Sequence, residues 1–161
     1  MKHSTRIKIF RDEHHFAAAH FLVEMGKCER LHGHNYGVTV EICADPAMNH
    51  TVTDFNRINP LIKRVCDTLD HKILIAGEDP RQTLTITGEE LEARFGPKRF
   101  VFPKSDCEVL PVKATTVELL SAYLSEKLLE ALRPLGLEGL QWLEVGVKEG
   151  GSQMAIHRME F

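Results

Sequence analysis

Three histidines are spaced so that one metal ion could draw a nitrogen from each. His20 precedes His32 and His34 in the pattern H-x11-H-x-H. In an extended segment, residues i and i+2 point to the same face, so His32 and His34 can address one ion while His20 arrives from an adjacent strand. Three protein ligands leave a fourth position open, which is the arrangement of catalytic rather than structural zinc. Imidazole also suits copper, iron and nickel, so ligand type alone does not choose the metal. An isolated H-x-H pair is most often two surface histidines. The metal reading is carried by the third histidine, by the apolar Phe16-Ala17-Ala18-Ala19 run leading into it, and by Cys28 nearby. Cys28 stands four residues before His32 and is a candidate acid/base group rather than a fourth ligand. A free thiol titrates near about 8.5, and positive charge increases its thiolate fraction at neutral pH. Zinc, Lys27 or Arg30 could supply that charge.

Other residue types capable of chemistry are ambiguous taken singly. Asp70 and His71 are neighbours, and a carboxylate bonded to an imidazole fixes its tautomer and stabilises imidazolium. Adjacent residues need not pair, however, and a solvated Asp and His are the plainer reading. Glu149 alone reads as a charged strand end. Thr115-x-x-Glu118 matches a helix capping box, a role that competes with any ligand contact by Thr115 or Thr116. Glu29 alone reads as solvent-facing. His3, His14, His15, His50 and His157 read as surface or packed histidines.

The elements that must position these groups are legible from periodicity. Arg6 to Phe10 and Phe16 to Leu22 read as strands, with room for a bulge between His14 and His20. Tyr36 to Ile42 alternates cleanly, placing Val38, Val40 and Ile42 on one face, so the His-Gly-His turn runs straight into a strand. Val52 reads as a short strand. Asp54 can cap a helix in which Ile58, Leu61, Ile62, Val65, Cys66 and Leu69 share a face; a start near Pro60 is the alternative. Residues 77 to 111 contain Gly88, Gly96-Pro97 and Pro103 and read as a surface insertion with a short helix at Glu89 to Phe95. A second helix carries Leu119, Leu120, Tyr123, Leu124, Leu128 and Leu129 and should end near Pro134. Leu140 to Glu149 and Met154 to Phe161 read as a hairpin turning at Gly150-Gly151. These elements make one α+β domain over residues 1–161, an antiparallel sheet with two helices on one face.

Composition narrows the function classes. The chain has 161 residues, enough for one domain with a real core, and 43% apolar against 27% charged residues, so it should fold. A net charge of −3 argues against a general nucleic-acid binder. No apolar run reaches the length of a membrane span. Cys28, Cys43, Cys66 and Cys107 show no disulfide framework, and nothing secretory is visible at the N-terminus. The expectation is a cytoplasmic protein with reduced thiols.

Several segments together resemble the 6-pyruvoyltetrahydropterin synthase family, which includes the 6-carboxytetrahydropterin synthase of the queuosine pathway. They are Phe16-Ala17-Ala18-Ala19-His20, Cys28-x-x-x-His32-Gly33-His34-Asn35-Tyr36, Val52-Thr53-Asp54-Phe55, Leu69-Asp70-His71, Thr116-Val117-Glu118 and Val147-Lys148-Glu149. The stretch from Gly77 to Pro111 looks longer than the family's usual connection. The resemblance implies a T-fold with a four-stranded antiparallel sheet and two helices on one face, assembling into a ring, typically a hexamer. It implies zinc on His20, His32 and His34, proton transfer by Cys28, Asp70 and His71, and a pterin anchor at Glu149, with Thr115 and Thr116 as further pterin contacts. Asp70-His71 can then pair with Cys28 of a neighbouring subunit. The implied substrate is 7,8-dihydroneopterin triphosphate. The leading product is 6-carboxy-5,6,7,8-tetrahydropterin, with acetaldehyde and triphosphate released. One alternative product is 6-pyruvoyltetrahydropterin. Another is 6-hydroxymethyl-dihydropterin for folate, because Glu29-Arg30-Leu31-His32 also resembles a variant in which a glutamate near this position cleaves the side chain. Outside the enzymes, a pterin- or metal-binding module would bind without turnover; the full set of zinc ligands and proton-transfer groups argues against it.

Overall fold

The computed structural model describes residues 4–46 and 50–161, so His3 lies outside the described residues. The longest strand organises the rest. β1 (Thr5–Ile9) and β2 (His15–His20) both lie antiparallel to β3 (His32–Ala44), end to end along the same strand. Between the two registers, the five residues Phe10 to His14 stand opposite only Val38 and Thr39. The extra residues form a kink in which the His14 carbonyl accepts from Val38 N at 2.8 Å. The irregularity therefore precedes β2, and the stretch between His14 and His20 pairs without a bulge. The reason is positional: an uninterrupted ladder is what keeps His20 opposite His32.

After α1 (Phe55–Asp67), β4 (Lys72–Ala76) runs parallel to β2. Next come β5 (Thr83–Thr87), β6 (Glu90–Phe95), β7 (Lys98–Pro103) and β8 (Cys107–Leu110), the last of which pairs in parallel with β4. α2 (Val117–Leu132), β9 (Trp142–Glu149) and β10 (Gln153–Glu160) complete the chain. The main sheet has the order β10-β9-β3-β2-β4-β8, with β1 on β3. It is thus seven-stranded and mixed, larger than the four-stranded antiparallel sheet expected, because the chain leaving α1 returns alongside β2. That return is a tight turn. His71 takes φ 57° and donates its N–H to the Ala17 carbonyl at 2.7 Å.

One face of the sheet carries both helices. Phe16, Tyr36, Val38, Val40, Ile42, Leu143, Val145 and Val147 are buried against Ile58, Ile62, Val65, Leu120, Leu124 and Leu128. Asp54 caps α1 by accepting from Asn56 N at 2.8 Å, so the helix begins there and runs through Pro60. Thr116 is the N-cap of α2 but makes no side-chain capping bond, so the expected capping box does not form. Val52 lies outside any strand.

The segment from Gly77 to Pro111 has its own architecture. β5, β6 and β7 form a three-stranded antiparallel meander. The helix expected at Glu89 to Phe95 is instead β6, in which Leu91, Ala93 and Phe95 are buried and alternate with less buried Glu90, Glu92 and Arg94. Period two, set by pairing on both sides, overrides the helical reading of so short a segment. Its apolar face closes a second small core with Phe21, Val23, Ile75 and Phe102.

Candidate metal centre and its flanking groups

The β2–β3 register sets His20 directly across from His32. His34 and Tyr36 follow on the same face of β3, two and four residues on. One ligand atom from each of His20, His32 and His34 falls within 4.8 Å of the others. The fold thus brings together the three histidines that the sequence singled out.

The hydrogen bonds fix which nitrogens are available. A backbone carbonyl can only accept, so an imidazole nitrogen bonded to one must carry the proton. His20 Nδ1 donates to the Thr115 carbonyl at 3.0 Å, with Thr115 Oγ1 at 3.1 Å. His32 Nδ1 donates to the Arg30 carbonyl at 2.6 Å. In the neutral rings the Nε2 atoms are then the ones that carry lone pairs, and those two atoms lie 3.1 Å apart. Two lone pairs facing at that distance repel unless they share a cation. Tetrahedral zinc with nitrogens at about 2.0–2.1 Å would separate neighbouring ligands by roughly 3.3 Å. The donor set therefore fits a metal such as zinc, with second-layer carbonyls orienting two of the ligands. Burial pushes the His20 imidazole down to about 4, so it is neutral at pH 7, as a ligand must be.

Glu149 enters from the third strand, opposite Tyr36 in the β3–β9 register. Its Oε1 lies 3.2 Å from His34 Nε2 and 3.6 Å from His20 Nε2, and accepts from the Tyr36 hydroxyl at 3.4 Å. Burial, then the Glu149 charge, push the Tyr36 phenol far above its ordinary range, so it stays protonated and donates. Tyr36 is a site residue that sequence reasoning missed. The signal was present, because it continues the i, i+2, i+4 series of His32 and His34. A cleft of about 320 Å³ opens beside Glu149, bordered by Leu22, Thr116, Glu118 and Gln153. Thr115 and Thr116 part company here. Thr115 is buried with its hydroxyl and carbonyl turned to His20, whereas Thr116 borders the cleft.

Asp70 and His71 do pair. Asp70 Oδ2 accepts from His71 Nδ1 at 2.8 Å, and Oδ1 accepts from Ala17 N at 2.7 Å. The Ala17 N–H, then His71, hold the Asp70 carboxyl below the usual carboxylate range. The pair sits beside Ala17 on β2, three residues from His20, or roughly 10 Å along a strand. The His71 side chain is 85% exposed. The dyad therefore forms within one chain, with the His71 ring turned to solvent.

Cys28 lies in a 3-10 turn, Gly26–Glu29, and is partly exposed. Its carbonyl accepts from Leu22 N at 2.8 Å, closing the loop that joins β2 to β3. Among the described residues, no hydrogen bond joins its thiol to the histidines or to the dyad. Glu29 Oε2 lies 3.5 Å from Lys98 Nζ. All four cysteines are free. His14 is packed, only 1% exposed, with its Nε2 3.9 Å from Glu13 Oε1. No described helix is long and apolar enough to cross a membrane.

A sheet of this order with two helices on one face is the fold shared with solved tetrahydropterin synthases. The 6-pyruvoyl tetrahydropterin synthase of Plasmodium vivax superposes with a TM-score of 0.92 at 25% identity, covering 99% of this chain and 100% of that one. The chain belongs to the 6-pyruvoyl tetrahydropterin synthase family, whose model matches residues 9–160. Among its relatives is a Methanocaldococcus jannaschii protein provisionally named 6-carboxy-5,6,7,8-tetrahydropterin synthase. It is 31% identical over 144 residues, spanning 89% of this chain and 88% of the relative. The 6-carboxy-5,6,7,8-tetrahydropterin synthase of Haemophilus influenzae is 35% identical over 97 residues, spanning 56% of this chain and 67% of that one.

Proposed function

We propose that the protein is a zinc-dependent lyase of pterin metabolism. It takes 7,8-dihydroneopterin triphosphate and water to 6-carboxy-5,6,7,8-tetrahydropterin, acetaldehyde and triphosphate, a step towards queuosine. The observation that carries this reading is the three-histidine cluster, two of its rings oriented by backbone carbonyls, next to a Glu149 that borders an open cleft, in a family whose relatives bear the name of that reaction.

Zinc on His20, His32 and His34 would supply Lewis-acid polarisation of the substrate's side-chain hydroxyls. The remaining work falls to the chain's own groups. Glu149 accepts two hydrogen bonds from the donor edge of the aminopyrimidine, a bidentate, charge-assisted arrangement. Its Oε1 is already held by Tyr36, which fixes the carboxylate at the cleft wall. Thr116 adds a hydroxyl to the same cleft. Thr115 acts indirectly, orienting His20. Cys28 takes a proton from a side-chain carbon as its thiolate. The second proton-handling group is Asp70-His71. Because His71 projects from its own chain, the dyad serves the site of a neighbouring copy, and the working enzyme is a homo-oligomer.

A second reading has one observation in its favour. Glu29 directly follows Cys28 in the same turn, so a carboxylate is available for side-chain cleavage to 6-hydroxymethyl-dihydropterin. Incubating zinc-loaded protein with 7,8-dihydroneopterin triphosphate and identifying products by mass spectrometry tests both. The 6-carboxy product is expected to dominate. A dominant 6-pyruvoyl or 6-hydroxymethyl product would reassign the reaction, and binding without turnover would reduce the protein to a pterin-binding module.

A further inference from the structure

The loop bearing Cys28 and Glu29 does not stand free. It is fastened to the β5–β7 meander and to the turn that precedes it. Phe21, the residue after ligand His20, stacks on Phe95 and Phe100 with ring centroids 5.3 and 4.8 Å apart. At the start of the loop, Glu24 lies 3.6 Å from Arg81. Arg81 is itself anchored by two 2.8 Å bonds to Asp79, whose side chain is 2% exposed. At the end of the loop, Glu29 meets Lys98, the first residue after the β6–β7 turn. Phe95 and Lys98 are paired across that turn, and the Lys98 ammonium sits 6.0 Å from the Phe95 ring centre. The ion pair thus grows out of the same aromatic cluster that holds Phe21.

We infer that Lys98 is a positioning residue that biases product choice: by engaging Glu29 on the meander side of the turn, it draws that carboxylate away from the pterin and favours Cys28 as the working base. This rests on the reading above, in which Glu29 supports the hydroxymethyl product and Cys28 the 6-carboxy product. Physically, Glu29 must give up Lys98 before it can act on substrate. Both side chains are about 30% exposed, Lys98 at 30% and Glu29 at 28%, so the attraction is partly screened. A pair of this kind shifts an equilibrium by a modest factor, about two- to fivefold.

The test compares K98M, K98R, E29Q and K98M/E29Q with wild type, all zinc-loaded. K98M should raise the ratio of 6-hydroxymethyl to 6-carboxy product about two- to fivefold. K98R should restore the wild-type ratio, and the rise should vanish in K98M/E29Q. An unchanged ratio, a parallel fall of both products, or a rise that persists without Glu29 overturns the inference. Formation of only the 6-carboxy product by both wild type and K98M also overturns it, while leaving the main reaction standing. A second measurement needs no turnover: alkylation of Cys28 by iodoacetamide, followed by peptide mass spectrometry. A released carboxylate beside the thiol disfavours the thiolate. K98M should therefore slow alkylation about twofold or more relative to wild type, and not in the E29Q background. If wild type makes no pterin product at all, the proposed reaction fails, and the alkylation series decides on the ion pair by itself. Equal alkylation rates in wild type and K98M would refute it.

Discussion

Changing Glu149 to glutamine tests the pterin anchor more sharply than a truncation would, because it preserves shape. Glu149 Oε1 accepts from Tyr36, whose ring is fully buried and cannot swing away. Glutamine can keep that bond through its own carbonyl oxygen. Its amide nitrogen must then face the cleft where the second carboxylate oxygen stood. A donor would oppose the donor edge of the pterin, and one charge-assisted bond would be lost. Such a bond contributes about 1.5–3 kcal/mol. At about 1.4 kcal/mol per tenfold change, pterin affinity should fall about ten- to 150-fold. The variant should hold its metal, since His20 and His32 keep their carbonyl partners at Thr115 and Arg30. Fluorescence titration with a dihydropterin lacking the triphosphate gives the affinity, and elemental analysis of the same samples gives the zinc content. Unchanged affinity would refute the anchor. Loss of zinc in parallel with affinity would show that Glu149 serves the metal, as its 3.2 Å approach to His34 also permits.

Alanine at His20, His32 or His34 should each abolish stoichiometric zinc in purified protein; full retention in all three variants would remove the metal assignment. Cys28→Ala should lose most turnover, at least a hundredfold if the thiol is the general base, while keeping its zinc; joint loss of metal and activity would make Cys28 a ligand instead. Cys66 gives a pH prediction. Burial pushes its thiol up to about 12, from an ordinary value of 9.0. The unfolded chain would release this proton near 9 and the folded chain would not. The associated stability is therefore complete below pH 9 and is lost as pH rises from 9 towards 12, at about 1.4 kcal/mol per unit. Urea unfolding between pH 8 and 10.5 should show a steeper alkaline decline for wild type than for C66A; equal slopes would contradict it.

What the sequence determined is local in origin. Alternation over Tyr36 to Ile42 and helical spacing over Ile58 to Leu69 each depend on which side of a short segment meets the core, and both match the burial observed. The H-x-H pair follows from the same geometry, since two residues along a strand share a face whatever the strand pairs with. Where the local signal was weak, it misled. Glu89 to Phe95 is too short for periodicity to separate helix from strand, and only pairing with β5 and β7 makes it a strand. The capping box at Thr115 failed because a distant partner competed: His20, 95 residues away, takes both the hydroxyl and the carbonyl of Thr115. Tertiary structure alone decided the remaining features of the site. The register of β2 on β3 brings His20 to His32, and the register of β9 on β3 brings Glu149 to Tyr36. The return of β4 alongside β2 puts Asp70 on the Ala17 amide and leaves His71 facing outward. The meander's turn carries Lys98 to Glu29. Each is a contact between segments far apart in the chain, fixed by how buried faces register against one another, and no window of sequence contains both partners.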